Sequence, residues 1–304
     1  MQPMPCDVLV TGATGLLGSA VLSALLSRGI RAAGVARGAP LALPGATWLQ
    51  ADLSADGAAR AVLDAARPGA VVHCAALTDV DWCERHPEAA HRFNAGLTAE
   101  LADWAGENGA RFIYISTDSV FDGETGAYDE GAVPAPLNVY ARSKLAGEAA
   151  AARAPRHLVA RTNFYGWSPA GKTRLCEWAL QCLRRGDPLP GFVDVLFSPL
   201  AAPELASMLA QLVDSQMRGV VHLGSSDGIS KYEFLRLFAR GLGYAADAVR
   251  LASVADVAFD APRPRDTTLR TRRADELGLG PLPGVAPGLE RFLTAGTGVA
   301  PAAR

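Results

Sequence analysis

Residues 7–18 read DVLVTGATGLLG, and the fold of the chain turns on them. Val8 to Val10 form a short apolar run of the kind a buried strand needs. Leu17, Val21 and Leu25, with Leu22 and Leu26 beside them, mark one face of a helix that follows. Between the two stand Gly12, Gly15 and Gly18. In a strand-to-helix turn, Gly12 lets the chain reverse, Gly15 lets a pyrophosphate approach backbone N–H groups at the helix N-terminus, and Gly18 lets the helix pack closely on the strand. The spacing is G-x-x-G-x-x-G rather than G-x-G-x-x-G, moderately specific alone; glycines that only make a turn are the bland alternative.

Further strands are expected at AAGVA (32–36), TWLQA (47–51), AVVHCA (70–75), FIYIS (112–116) and HLVAR (157–161), separated by Ala/Leu-rich helical stretches. That alternation predicts an α/β fold: a doubly wound parallel sheet of Rossmann type, with its ligand outside the carboxyl ends of the strands. After Arg161 the rhythm breaks. The reading is a dinucleotide-binding domain over 1–165 and a smaller C-terminal, substrate-binding domain over 166–304, with 219–224 (VVHLG at 220–224) returning to the sheet. The tail after Pro281, rich in Gly, Ala and Pro, reads as partly disordered.

Composition narrows the class. At 304 residues, 49% hydrophobic and 20% charged, the chain can bury a core, which excludes wholesale disorder. Lys+Arg 29 against Asp+Glu 31 leave a net charge of −2 without a basic run, against nucleic acid as main partner. No apolar run approaches the roughly 20 residues of a bilayer span, and MQPMPCDVLV lacks a basic leader, so a cytoplasmic protein is expected. Five cysteines (Cys6, Cys74, Cys83, Cys176, Cys182), odd in number and without a CxxC pair, suit reduced thiols.

The second strand should end near Val35, where an NAD site would place a carboxylate on the ribose hydroxyls. Ala36 and Arg37 stand there instead, so NADP(H) is preferred over NAD(H), unless Arg37 is only a solvated charge. Asp52 and Leu53 end the third strand where the adenine would lie; a helix cap is the other role open to Asp52.

Of the six tyrosines only Tyr140, in NVYARSKLAGE, has a lysine four residues on. That spacing puts Tyr140 and Lys144 on one helix face. A phenol keeps its proton at neutral pH; a nearby ammonium is expected to draw its pKa down and let it exchange a proton with a carbonyl oxygen. Thr117, at the carboxyl edge of the fifth strand, could polarise that oxygen or merely cap the strand. His73, Cys74, Cys83, His86 and His91 do not converge as zinc ligands must, so no metal site is expected. Trp82, Trp104, Trp167 and Trp178 read as core or pocket wall.

Together these segments resemble an extended short-chain dehydrogenase/reductase, more narrowly the dTDP-4-dehydrorhamnose reductase group. TGATGLLG, 74–95, ISTDSVFDG (115–123), the Tyr140/Lys144 helix with its Gly-Glu ending, RTNFYG (161–166), FSPL (197–200) and RPRDTTLRT (263–271) fall in that family's order. The resemblance covers most of the chain and weakens over 167–195 and after 275. It implies Thr117, Tyr140 and Lys144 as the catalytic set and Gly12, Thr14, Gly15, Leu16, Leu17, Cys74, Ala75, Ala76, Asn163 and Phe164 around the cofactor, with Tyr140 and Lys144 touching it too. Asp118, Ser119, Lys172, Arg174 and Arg263 are the substrate candidates: Asp118 would bind a sugar hydroxyl or only fix its loop, and Lys172, Arg174 and Arg263 would meet the diphosphate or are ordinary surface charges.

Ser119 stands where relatives carry Tyr, and Val195, Leu196 and Phe197 replace the usual residues before Ser-Pro. Reductase chemistry on a nucleotide-linked deoxysugar is therefore better supported than rhamnose as product. A sugar-nucleotide epimerase or dehydratase with retained cofactor, and a non-catalytic dinucleotide-binding subunit, are the competing readings. The oligomeric state is open, a homodimer among the options.

Overall fold

The computed structural model describes residues 6–169, 171, 173–279 and 281–296. Strands β1 (Val8–Thr11), β2 (Ala32–Ala36), β3 (Thr47–Gln50), β4 (Ala70–His73), β5 (Arg111–Ile115) and β6 (His157–Thr162) alternate with helices α1 (Leu16–Ser27), α2 (Ala58–Ala66), α3 (Val80–Arg85), α4 (Pro87–His91), α5 (Leu97–Glu107) and α6 (Val139–Ala151). The short strands β7 (Phe164–Tyr165), β8 (Leu189–Phe192), β9 (Leu196–Phe197) and β10 (Leu200–Ala201) follow, then β11 (Gly219–Leu223), β12 (Ile229–Ser230) and β13 (Val249–Ala252). Their helices are α7 (Leu175–Arg185), α8 (Ala202–Leu212), α9 (Lys231–Gly241), α10 (Arg272–Glu276) and α11 (Val285–Thr294).

Seven strands make one parallel sheet in the order β11-β6-β5-β4-β1-β2-β3. Strand order reverses between β1 and β4, so the loops leaving their carboxyl ends diverge and open a crevice. Each face of the sheet feeds its own core. Val8 and Val10 pack with Leu17, Val21, Leu22 and Leu25 of α1 and with Leu205 and Leu209 of α8. Leu9, between them, points to α2 and α5 through Val62, Leu63 and Leu101. Burial of each such side chain contributes about 1.5–3 kcal/mol, an upper range because unfolded chains are partly compact. Burial on both faces is why the strands read as apolar runs rather than alternations.

A third core lies off the sheet, where α7, α9 and α11 meet through Leu180, Phe234, Phe238, Leu289 and Phe292. The segment after Pro281 thus departs from the expected disorder. Val285, Leu289 and Phe292 recur at helical spacing and are buried there as α11, a pattern masked by the surrounding Gly and Pro. Residues 297–304 lie outside the described residues. No described helix is long and apolar enough to cross a membrane.

Two glycines make the β1–α1 turn possible. Gly12 has φ +64°, and a Cβ there would meet Ala75 N at 2.8 Å. A Cβ on Gly18 would stand 2.2 Å from the Gly12 carbonyl oxygen. Gly18→Ala should therefore lower unfolding stability by about 2–4 kcal/mol in urea titrations; an unchanged midpoint would refute this close packing.

Candidate active site

A cleft of about 700 Å³ runs along the carboxyl ends of β1, β2, β4, β5 and β6. At one end α1 starts at Leu16 with Gly15 as its N-cap and no side chain covering its first N–H groups, so a positive helix end faces the space. Thr14, Leu16 and Leu17 line it, and Ala13 N donates to Val35 O at 3.3 Å, holding the loop against β2. Arg37 is exposed at the rim. Asp52 accepts from the backbone and hydroxyl of Ser54 (3.0 and 2.6 Å), which holds its carboxyl below the usual range. It closes a turn and is not the cap of α2, a place held by Gly57. A second cavity of about 340 Å³ shares Arg37, Leu53, Leu77 and Phe93 with the cleft.

Cys74, Ala75 and Ala76 form the facing wall, and Asn163 and Phe164 the far side. Beneath the wall, Thr11 and His73 are 2.6 Å apart and His73 reaches Thr98 at 3.1 Å, so the imidazole is buried in a satisfied chain. Burial pushes its pKa down to about 3. Among the described residues no three or more His, Cys, Asp or Glu side chains gather as metal ligands.

Helix α6 brings the chemistry to this cleft. Asn138 caps it by accepting from Ala141 N at 2.9 Å, and Glu84 accepts from Val139 N at 2.8 Å. Tyr140, Lys144 and Glu148 recur every four residues, so one face carries all three. Lys144 is 3% exposed, donates to Ile115 O at 2.7 Å and lies 4.1 Å from the Tyr114 ring centroid. Glu148 accepts from Ser116 (2.5 Å) and from Arg161 Nε and Nη2 (2.9 and 2.7 Å). The helix is thereby tied to the ends of β5 and β6.

The electrostatics differ from expectation. Burial pushes the Tyr140 phenol up to about 12, against the pull of its hydrogen bond with Thr117. The ammonium expected to lower it is spent on the Ile115 carbonyl, and burial holds Lys144 at about 7, opposed by Glu148. Tyr140 therefore keeps its proton at neutral pH.

Thr117 is buried, directs its hydroxyl to Asp118 Oδ1 (3.1 Å) and accepts from Ser119 N (3.2 Å). Three of the substrate candidates, Asp118, Ser119 and Arg263, do not line the cleft. Asp118 is 1% exposed, and its carboxylate accepts from Asn163 (2.9 Å), Thr267 (2.7 Å), Thr117 and Ser119 (3.3 Å). It binds loops together and does not line the cleft. Ser119, turned to the same carboxylate, does not line it either. Arg263 is committed to Asp81 (2.7 Å) and to the face of Phe259. Arg174 lines the cleft and donates to Thr78 at 3.2 Å, whereas Lys172 lies outside the described residues.

Sequence reasoning missed Asn94, Glu148, Arg161 and Lys231. Asn94, in a π-helical turn (Arg92–Gly96), accepts from Leu77 N (2.9 Å) and donates to Leu77 O (3.0 Å) and Ser143 (2.9 Å), joining the wall after β4 to α6. Glu148 was visible as the next step of the four-residue spacing. Lys231 lines the cleft from the start of α9.

The model of the RmlD substrate binding domain family matches residues 6–297. The chain belongs to this family. A dTDP-4-dehydrorhamnose reductase of Mycobacterium tuberculosis is 35% identical over 289 residues, covering 90% of this chain and 88% of that protein. A methionine adenosyltransferase 2 subunit beta of Bos taurus is 31% identical over 291 residues, covering 90% and 83%. The structure of a dTDP-4-dehydrorhamnose reductase from Bacillus anthracis, in complex with NADP, superposes with a TM-score of 0.83 at 25% identity, covering 96% of this chain and 100% of that one.

Two outcomes test this RmlD-family site. Removing one partner of the buried pair leaves Arg161 uncompensated, so Glu148→Gln should cost about 3 kcal/mol in urea unfolding; a loss within error would show the pair to be idle. Between pH 7 and 10 the unfolded chain holds a proton on Lys144 that the folded chain has lost, so folding is favoured more as pH rises. Relative to Lys144→Met, the wild type should gain stability from pH 7 to about 9.5; parallel stability profiles would contradict the depressed lysine.

Proposed function

We propose that the protein reduces a keto group on a nucleotide-linked deoxysugar with NADPH, in the manner of a dTDP-4-dehydrorhamnose reductase. The observation that carries the reading is one cleft joining an uncapped, glycine-opened helix end to a proton-bearing phenol. The cradle at Gly12 and Gly15, where side chains are absent and backbone N–H groups open outward, fits a dinucleotide pyrophosphate. Leu53, Cys74, Ala75, Ala76, Asn163 and Phe164 would wall its rings. Arg37 would meet a 2′-phosphate, and no carboxylate at the end of β2 would repel it.

Bound there in reduced form, the dinucleotide supplies hydride to a carbonyl carbon. Tyr140 gives its proton to the carbonyl oxygen as negative charge develops, a transfer suited to a phenol whose buried pKa keeps it protonated. Thr117 holds the phenol's hydroxyl where that oxygen must come. Lys144, held on Ile115 O one helical turn after the phenol, keeps the helix face in register and would hydrogen-bond the nicotinamide ribose. Closure of the nucleotide end on Arg174 would orient the ketone.

Dehydration would ask for a carboxylic acid free to work on the sugar beside Thr117. Asp118, with four donors on its carboxylate, is not free. This disfavours the dehydratase reading. An epimerase or a non-catalytic subunit would consume no NADPH.

The test is NADPH oxidation on adding a panel of nucleotide-linked 4-keto sugars: net oxidation with at least one of them is expected, and none with any would end the proposal. Tyr140→Phe should lower kcat about 10²- to 10⁴-fold with NADPH affinity nearly intact; equal turnover would remove Tyr140 from the role. Arg37→Asp should shift the NADPH/NADH preference towards NADH, an unchanged ratio counting against the assigned phosphate contact.

A further inference from the structure

Lys231 occupies a position that folding alone does not account for. It is the first residue of α9, where the helix dipole is positive and a cation is unfavourable. Ser230 caps that turn by accepting from Glu233 N at 3.1 Å, and Lys231 N donates to Val195 O at 2.9 Å, so the backbone is fixed. The side chain is half-buried, with Nζ 3.4 Å from the centroid of Phe197. Among the described residues no carboxylate stands within ion-pair distance of it. Asp118, the acid whose field reaches it, has its own oxygens filled by four donors. Burial accordingly pushes the ammonium down to about 8.

A cation that is partly desolvated, set against a helix dipole and left without a counter-charge costs stability in three ways, with only an aromatic face in return. Residues that break local rules without structural compensation mark functional positions. Lys231 lines the same cleft as Thr117, Tyr140, Arg174 and Cys176, and the fields of Cys176 and Asp118 reach it.

We propose that Lys231 is a specificity-determining residue, pairing with an anionic oxygen of the sugar nucleotide, phosphate or sugar carboxylate. Building on the reductase reading, this narrows the substrate to one that brings negative charge to Phe197. The ring fixes the ammonium's height, and a nearby oxyanion would supply the missing counter-charge.

The experiment is calorimetric binding of dTDP, UDP-glucose and UDP-glucuronic acid to the NADPH-bound wild type, Lys231→Met and Lys231→Arg, with melting temperatures alongside. If the partner is the diphosphate, Lys231→Met weakens all three ligands about 10- to 100-fold and Lys231→Arg restores part of the loss. If it is a sugar carboxylate, only UDP-glucuronic acid weakens. In either case Lys231→Met should melt no lower than the wild type. Equal binding of every ligand to wild type and Lys231→Met overturns the inference, whether or not the melting temperature falls. Wild type that holds NADPH but none of the three ligands overturns the inference and the reductase reading with it.

Discussion

One buried polar face of α6 governs the geometry of the whole site. Glu148 on Ser116 and Arg161, and Lys144 on the Ile115 carbonyl, fasten the helix to the carboxyl ends of β5 and β6. Tyr140, one turn before Lys144, is left at the cleft. An ion pair that is 5% and 7% exposed offsets its desolvation only with close hydrogen bonding; Arg161 Nε and Nη2 and Ser116 fill the carboxylate, while Arg161 Nη1 has no partner and the guanidinium lies over the Phe121 ring. Asn94 extends the bracing to the chain leaving β4, so both walls of the crevice are referred to the same helix.

The same burial sets the chemistry. Desolvation disfavours phenolate and ammonium alike, raising Tyr140 and lowering Lys144. The outcome is a proton held on the Tyr140 oxygen and, one helical turn on, an amine whose charge is weakened. Asp118 works at one remove: by gathering Thr117, Ser119, Asn163 and Thr267 it joins the strand end, the far wall of the cleft and the returning C-terminal loop.

The sheet was legible because buried parallel strands and amphipathic helices carry their periods locally. AAGVA coincides with β2, and the strand expected at 220–224 pairs with β6 one residue earlier. The strand expected through Ala75 stops at His73, since the chain leaves the sheet there to wall the cleft. The glycine loop and the Tyr140/Lys144 spacing were legible for the same reason. What escaped depends on distant partners. Arg263 beside proline reads as a free cation until Asp81 is seen 182 residues away. Thr267 on Asp118, across 149 residues, leaves no local trace. The half-buried Lys231 looks like an ordinary helix residue in SKYEF, because neither Phe197 nor the missing counter-charge is visible along the chain.

The proposed reaction transfers hydride from a reduced nicotinamide in the crevice at β1 and β4 to a sugar ketone while Tyr140 protonates its oxygen. Its most direct test is mass analysis of the product formed with NADPH deuterated at the transferred position of the nicotinamide. One deuterium is expected on the new carbinol carbon for each NADPH consumed. A product without deuterium, formed while the NADPH concentration stays constant, would contradict it.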